Sequence, residues 1–134
     1  MEERISREKM DVLKKVIPAQ QLLIMLEYTK GEDGIFYIDI LNKIVDVYNS
    51  IPELYATDGN QKHTNYLHYF VGGSDFYFAE LDKKTGEGFG YACLNGDTDN
   101  AEWGYLDLSS TLAIPYIELD IYNCRNKFIE DIIK

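Results

Sequence analysis

Residues 76–94 read FYFAELDKKTGEGFGYACL, and this stretch decides the fold. Side chains alternate with a period of two over 76–81 and again over 89–94, as they do in β-strands whose two faces differ. Residues 82–86 fit a short hairpin loop, in which Gly86 can adopt a positive φ angle. The stretch therefore predicts two antiparallel strands joined by a tight turn.

The same alternation assigns the side chains of the first strand to two faces of a sheet. The predicted faces are Phe76, Phe78 and Glu80 on one side, and Tyr77, Ala79 and Leu81 on the other. Further strands are predicted over 66–71, 102–106 and 117–122, with a short extended piece at 54–56. Consecutive strands with short connections favour an antiparallel meander.

The N-terminal third has helical periodicity instead. A first helix begins after Ser6, a second follows Pro18, and a third, whose apolar face repeats over 37–48, stops before Pro52. The fold class predicted is α+β, with N-terminal helices packed on an antiparallel β-sheet of about five strands and a short C-terminal helix over 126–133.

The length of 134 residues fits a single domain covering 1–134. Its parts are a helical N-terminal part, 1–50, and a remainder, 51–134, that is mostly antiparallel sheet plus the C-terminal helix.

Charge is distributed unevenly along the chain. The formal net charge is −10, and residues 85–124 contain no Lys, Arg or His. The acids of that segment are Glu87, Asp97, Asp99, Glu102, Asp107, Glu118 and Asp120. A segment of one sign repels nucleic acid, so no direct nucleic-acid binding is expected, and it attracts a basic partner or a cation. An acidic surface that only confers solubility is the other interpretation.

Cysteine usage and hydropathy indicate a cytoplasmic protein with no membrane partner. Cys93 and Cys124 are too few for a disulfide framework and show no CxxC spacing. The N-terminus is charged and has no apolar signal core, and the longest apolar run, 22–26, is far shorter than a membrane span.

The familiar catalytic motifs are absent from the sequence. His63 and His68 have Asp58 and Asp75 as their nearest acids, at spacings that match no known metal site, so neither a metal nor another cofactor is predicted. The run GEGFG at 86–90 has no following helix and is typical of strand glycines that allow close packing.

The strand carboxylates allow two interpretations. Glu80 and Asp82 share a face if their strand is regular, and Glu102 lies on the next strand but one. Such acids can act as an acid–base pair or bind a hard cation, or they can simply be solvated on the wet face of a sheet. Most of the aromatic residues are expected in the core, but an exposed Tyr/Trp cluster among acids is typical of a protein–protein hot spot.

Five short blocks, in order, resemble a bacterial domain family of unknown function found on plasmids, phages and other mobile elements. The blocks are 51–58 (IPELYATD), 76–82 (FYFAELD), 88–91 (GFGY), 102–108 (EWGYLDL) and 117–122 (IELDIY). The resemblance covers roughly residues 51–123 and carries over Tyr55, Glu80, Glu102, Glu118 and Asp120. The chain departs from the pattern at the bulky Trp103 and in lacking an Arg between Glu118 and Asp120. The family has no settled activity, so the resemblance implies a genomic context.

The function expected is that of a non-catalytic acidic accessory protein of a mobile element that binds a protein partner, with a nucleic-acid mimic that inhibits a host defence or DNA-processing protein as one version. The candidate binding residues are Tyr55, Glu80, Glu102, Trp103, Glu118 and Asp120. The alternative is a small-ligand-binding protein or metal-dependent enzyme that uses clustered carboxylates; no catalytic residue is assigned. A structural subunit that forms a homo-oligomer is a third interpretation.

Overall fold

The computed structural model describes residues 5–122 and 127–133. Within them the helices are α1 (Arg7–Val16), α2 (Ala19–Tyr28), α3 (Gly34–Ser50), α4 (Leu108–Leu112) and α5 (Ile129–Ile132). The strands are β1 (Leu67–Val71), β2 (Ser74–Leu81), β3 (Glu87–Cys93), β4 (Glu102–Asp107) and β5 (Glu118–Leu119). The predicted α+β class is confirmed, with helices at the N-terminus, an antiparallel five-stranded sheet and a short C-terminal helix.

The strands form one antiparallel sheet in the order β4-β3-β2-β1-β5. The first four make the predicted meander, and Gly86 has a φ of 83° in the turn between β2 and β3. The last strand returns along the free side of β1, so β4 and β5 lie at opposite edges of the sheet. With strands about 4.8 Å apart, these edges are roughly 19 Å from each other.

Helices α1–α3 cover one face of the sheet and form the main core with it. Tyr69 of β1 and Phe78 of β2 are fully buried there, with ring centroids 5.8 Å apart in an edge-to-face contact. The Tyr69 hydroxyl donates a hydrogen bond to the carbonyl of Val16 at the end of α1. Burial raises the pKa of Tyr69 far above its usual value, so this hydrogen bond persists at neutral pH.

The predicted faces of β2 are wrong for Glu80 and Leu81, because the strand contains a β-bulge, whereas Ala79 shares the face of Tyr77 as predicted. Phe78 and Glu80 pair with consecutive residues of β3, so Ala79 is an extra residue on β2. A bulge reverses the alternation of side chains beyond it. Leu81 therefore joins Phe78 in the main core, while Glu80 turns to the opposite face of the sheet.

The short extended piece predicted over 54–56 is also wrong, because residues 54–59 form consecutive turns. The Ala56 amide donates to the carbonyl of Glu53, and the Asp58 amide to that of Tyr55. Tyr55 has a φ of 70°, a conformation that costs a non-glycine residue energy. The carboxylate of Glu80, which lies far away in sequence, holds this turn in place.

Two other segments differ in length from the prediction. The strand expected over 117–122 pairs with β1 only at Glu118–Leu119, and the C-terminal helix covers Ile129–Ile132. Cys124 and Asn126, where the predicted helix begins, lie outside the described residues. In the part of the chain that is described, no helix has the length and apolar character needed to cross a membrane.

The glycines of β3 allow the close packing that the sequence predicts. A Cβ atom on Gly90 would lie 1.7 Å from the carbonyl oxygen of Tyr77, and one on Gly88 would lie 2.6 Å from the Phe78 ring. On β4 the situation is the reverse, because a Cβ atom on Gly104 would meet no atom within 4 Å. The backbone of β3 is thus tightly enclosed, whereas that of β4 borders open space.

Candidate functional site

The two edges of the sheet differ in how their outward-facing backbone groups are hydrogen-bonded. At the β5 edge, the side-chain amide of Gln21 in α2 donates to the carbonyl of Leu119 and accepts from its amide, both at 2.8 Å. The side chain thus takes the place of a neighbouring strand and satisfies the outward-facing backbone groups. No strand among the described residues pairs with the outer side of β4.

The hydrogen-bond register shows which backbone groups of β4 point outward. The Leu108 amide donates to the Gly86 carbonyl, so in an antiparallel ladder every second residue from Leu108 back along β4 bonds to β3. Gly104 and Leu106 therefore face β3, while the amides and carbonyls of Trp103 and Tyr105 point away from the sheet. An open edge of this kind is a template for another strand.

Aromatic side chains line the sheet beside this edge, on the face opposite α1–α3, which we call the outer face. Its rings belong to Tyr77, Phe89, Tyr91, Trp103 and Tyr105. Trp103 lies 6.0 Å from Phe89 in a stacked pair and 5.3 Å from Tyr91 edge to face. Tyr105 is 56% exposed and contacts Phe89 at 5.8 Å. Such ring contacts fix the two β4 aromatics in place.

Tyr55 extends the aromatic surface beyond the edge of the sheet. It is 59% exposed, and its ring lies 6.3 Å from that of Tyr105. A hydrogen bond with Tyr55, together with lost hydration and the charges of Asp58 and Glu87, raises the pKa of Tyr105 to about 12. The Tyr105 hydroxyl is therefore neutral at physiological pH, with carboxylates close by.

Glu80 positions Tyr55. Its side chain is buried, and it accepts hydrogen bonds from the Tyr55 amide at 2.8 Å, from the Thr57 amide at 3.0 Å and from the Thr57 hydroxyl. These three donors, all from the protein itself, satisfy the hydrogen-bonding capacity of the buried carboxylate. Glu80 therefore anchors the turn and is not accessible to a ligand.

Helix α5 and the neighbouring residue His63 pack against the aromatic side chains of the outer face. His63 lies 5.0 Å from the ring of Trp103, and Glu130 of α5 accepts hydrogen bonds from the His63 amide at 2.8 Å and contacts its Nδ1 at 2.7 Å. Burial raises the pKa of Glu130, but the hydrogen bonds from His63 outweigh it and lower the net value. Ile129 is fully buried between this helix and the sheet.

An acidic cavity of about 380 Å³ adjoins Tyr105. Its walls include the carboxylates of Asp82, Glu87 and Asp107 and no basic side chain. Hydrogen bonds from the Ser110 hydroxyl and amide lower the pKa of Asp107, and bonds from the amides of 84 and 85 lower that of Asp82. Both are therefore ionised at neutral pH, and the cavity suits a cationic side chain.

A second carboxylate cluster lies near the opposite edge of the outer face. The His68 ring stacks on Tyr77 at 4.4 Å, with Nε2 2.7 Å from Asp75 and Nδ1 3.2 Å from Asp120. Only the doubly protonated ring can donate to both carboxylates at once. Burial and the charge of Asp75 raise the pKa of Tyr77 to about 12. Asp120 also accepts a bond from the Tyr122 amide at 3.0 Å, so its role here is structural.

The structure brings together some of the predicted site residues and separates others. Tyr55, Glu80 and Trp103 lie on the side of the outer face near β4. Glu102 is exposed on β4 but, by alternation with Trp103, points to the other face of the sheet. Glu118 and Asp120 lie at the far edge with β5. The predicted acids do not converge on one pocket.

Sequence reasoning missed Tyr105, His68 and the open edge of β4. The edge could not be inferred, because strand order depends on the return of β5 to β1. The contact between His68 and Asp75 had a signal: a hairpin that turns at Gly72-Gly73 places His68 opposite Tyr77, diagonal to Asp75.

Comparison of the chain with family models, curated proteins and solved structures finds no match. Among the described residues there is no group of three or more His, Cys, Asp or Glu arranged to hold a metal ion.

Proposed function

We propose that this protein is a non-catalytic binding module whose β4 edge captures an extended, basic segment of a protein partner. The segment adds as a strand to β4, and its cationic side chains lie against the tyrosine rings and carboxylates beside the edge. The observation that carries the proposal is the contrast between the two edges: Gln21 satisfies β5, while no described strand pairs with the outward backbone groups of Trp103 and Tyr105.

Strand addition fits the space around β4. The amides and carbonyls of Trp103 and Tyr105 provide four hydrogen-bonding groups at the spacing that an added strand requires. Between them, the empty space over Gly104 leaves room for a side chain of the added strand on the face opposite the rings. Backbone hydrogen bonds supply affinity, and the side chains on either face select the partner.

The charges around β4 select a basic partner. Because residues 85–124 contain no Lys, Arg or His, every charge on β3, on β4 and in the turn between them is negative. A cation above the exposed rings of Tyr55 and Tyr105 gains a cation–π interaction of about 0.5–1 kcal/mol at an exposed site. The acidic cavity next to Tyr105 offers a second position for a Lys or Arg side chain.

The sequence resemblance adds a biological setting to this proposal, that of an accessory protein of a mobile element whose partner belongs to the host. The nucleic-acid mimic is a special case, in which the bound basic segment is also the partner's nucleic-acid-binding surface. That case requires the partner to lose its affinity for DNA when this protein is bound.

The enzyme alternative is less well supported by the geometry. It requires Glu80, Glu102 and Asp120 to converge, whereas Glu80 is occupied by the turn at 54–59 and the other two lie at opposite edges.

The single tryptophan of the chain makes the proposal testable, since Trp103 lies on β4, the strand to which the partner segment would add. We would titrate the protein with a peptide of about nine residues in which Lys and Val alternate. This length lies within the usual range of β-strands. The expected result is a saturable change in Trp103 fluorescence that weakens as salt rises and is absent with a Glu/Val peptide.

Two substitutions at one position separate backbone pairing from side-chain contact. Tyr105→Val and Tyr105→Pro both remove the ring, but only proline removes the outward amide, and proline is tolerated at such an edge position. We expect Tyr105→Pro to bind roughly fivefold more weakly than Tyr105→Val, the value of one interstrand hydrogen bond of about 1 kcal/mol. Equal affinity of the two variants, or no response to the basic peptide, would contradict strand addition.

A further inference from the structure

Basic side chains, absent from residues 85–124, gather at another place in the fold. Four of the 13 Lys and Arg residues line one cavity of about 280 Å³. Lys14 and Lys15 come from the last turn of α1, and Lys83 and Lys84 come from the loop between β2 and β3. These segments are far apart in sequence, so the fold itself brings the four lysines to one cavity.

The floor of this cavity is apolar. Tyr48 of α3, Leu81 of β2 and Leu108 of α4 are buried, and Leu112 joins them at the cavity wall. The remaining wall is polar and comes from Asp82, Thr85, Gly86 and Ser109. The cavity thus combines a cationic rim with an apolar base.

Among the described residues none of the four lysines forms an ion pair within 4 Å, although the charge of Lys84 contributes to the lowered pKa of Asp82. Lys83 is engaged, because its Nζ donates to the carbonyl of Ile51 at 3.3 Å and lies 5.3 Å above the Tyr48 ring. In the part of the chain that the structure describes, no side-chain hydrogen bond holds Lys14, Lys15 or Lys84.

The acid in the cavity wall, Asp82, interacts by charge with only one of these lysines, Lys84. The Oδ1 atom of Asp82 accepts hydrogen bonds from the backbone amides of Lys84 at 2.9 Å and Thr85 at 3.2 Å, and so caps its own turn. Four lysines and one aspartate line this cavity, so basic residues outnumber acids in its wall.

The position of the lysines has a partial structural explanation. Cations in the last turn of a helix interact favourably with the helix dipole, which accounts for Lys14 and Lys15. It does not account for Lys83 and Lys84, which lie in a hairpin loop. Four like charges around one cavity repel one another, and an anion bound among them relieves that repulsion.

We infer that this lysine cavity is a binding site for a phosphate monoester that carries a small apolar or aromatic group. A doubly charged phosphate matches the unpaired ammonium groups better than a singly charged carboxylate, and the apolar floor accommodates the organic group. The lysine cavity adjoins the acidic cavity beside Tyr105, with which it shares Asp82 and Thr85, but neither Trp103 nor Tyr105 lines it.

The test uses phenyl phosphate as the probe, followed by NMR of amide groups at about 0.15 M salt, where the charge of the protein as a whole is largely screened. We expect saturable shifts at Lys84, Thr85 and Gly86, with a Kd at or below about 1 mM. Inorganic phosphate should bind more weakly than phenyl phosphate, because it lacks the contact with the apolar floor.

The matched variants are the double substitution Lys15→Gln with Lys84→Gln, and the control Lys30→Gln. Lys30 is exposed and pairs with Glu27 at 3.4 Å, away from the cavity. The double variant, whose side chains are exposed, should lose affinity about tenfold or more, and the control should lose none. No saturable shift with either phosphate, or an equal loss in the control, would overturn the inference.

Discussion

The buried carboxylate of Glu80 gives the sharpest prediction about the fold. Glu80→Ala removes the acceptor of three hydrogen bonds and leaves the amides of Tyr55 and Thr57 without a partner. A hydrogen bond to a charged group contributes about 1.5–3 kcal/mol, so three would contribute about 4.5–9 kcal/mol if the turn stayed in place. Because residues 54–59 can detach and be hydrated, we expect the loss in unfolding free energy to be limited to about 3 kcal/mol.

Urea unfolding measures this loss. With a slope of about 1.5 kcal/mol per molar urea, 3 kcal/mol lowers the midpoint by roughly 2 M. Glu80→Gln keeps one acceptor oxygen and should lose about half as much. Glu102→Gln is the control, since Glu102 is an exposed acid on β4 and should change stability by less than about 0.5 kcal/mol.

The Glu80 variant should also weaken peptide binding, because Tyr55 is held beside Tyr105 by the turn that Glu80 anchors. The reasoning is refuted if Glu80→Ala unfolds at the same urea concentration as Glu102→Gln. It is also refuted if hydrogen exchange at the amides of Tyr55 and Thr57 is unchanged in Glu80→Ala.

Three further predictions concern single positions. Gly90→Ala should lower the unfolding free energy by about 3 kcal/mol or more, because the added Cβ atom would overlap the Tyr77 carbonyl. The unfolding free energy of Gly104→Ala should stay within about 0.5 kcal/mol of the wild-type value. Urea unfolding of both variants measures the two changes. Asp107→Ala should lower the urea midpoint at pH 7. The difference in midpoint between the variant and the wild type should shrink below pH 3.8. Hydrogen bonds from Ser110 lower the pKa of Asp107 in the folded protein, so this acid stabilises the fold only while it is ionised. The unfolding free energy should fall as pH rises from 10 towards 12, because burial and the charge of Asp75 raise the pKa of Tyr77 in the folded protein above its value in the unfolded chain. In urea titrations at alkaline pH, Tyr77→Phe should show a smaller fall.

The fold class could be predicted from the sequence because its signals are local. Helical periodicity ends at Pro52, strand alternation follows, and the turns carry their own residues, such as Gly86 with its positive φ. These signals act within a few residues of each other, and tertiary contacts do not reverse them.

The candidate site could be predicted only in part, because it depends on contacts between distant segments. Alternation places Glu80 on the wrong face, since the bulge that reverses it arises where β2 passes over Gly90 at close range. Tyr55 and Trp103 were identified as candidates, but the sequence gives no indication that a turn carries Tyr55 to Tyr105. The two edges differ because Gln21 reaches Leu119, a contact across 98 residues that no pattern reveals.

Hydrogen exchange at β4 tests the central claim most directly. In the free protein we expect the amides of Trp103 and Tyr105 to exchange rapidly, and those of Gly104 and Leu106, which face β3, to be protected. When the basic peptide is bound, the amides of Trp103 and Tyr105 should become protected as well. The account is contradicted if they are already as protected as Gly104 in the free protein, or if they continue to exchange rapidly when the peptide is bound.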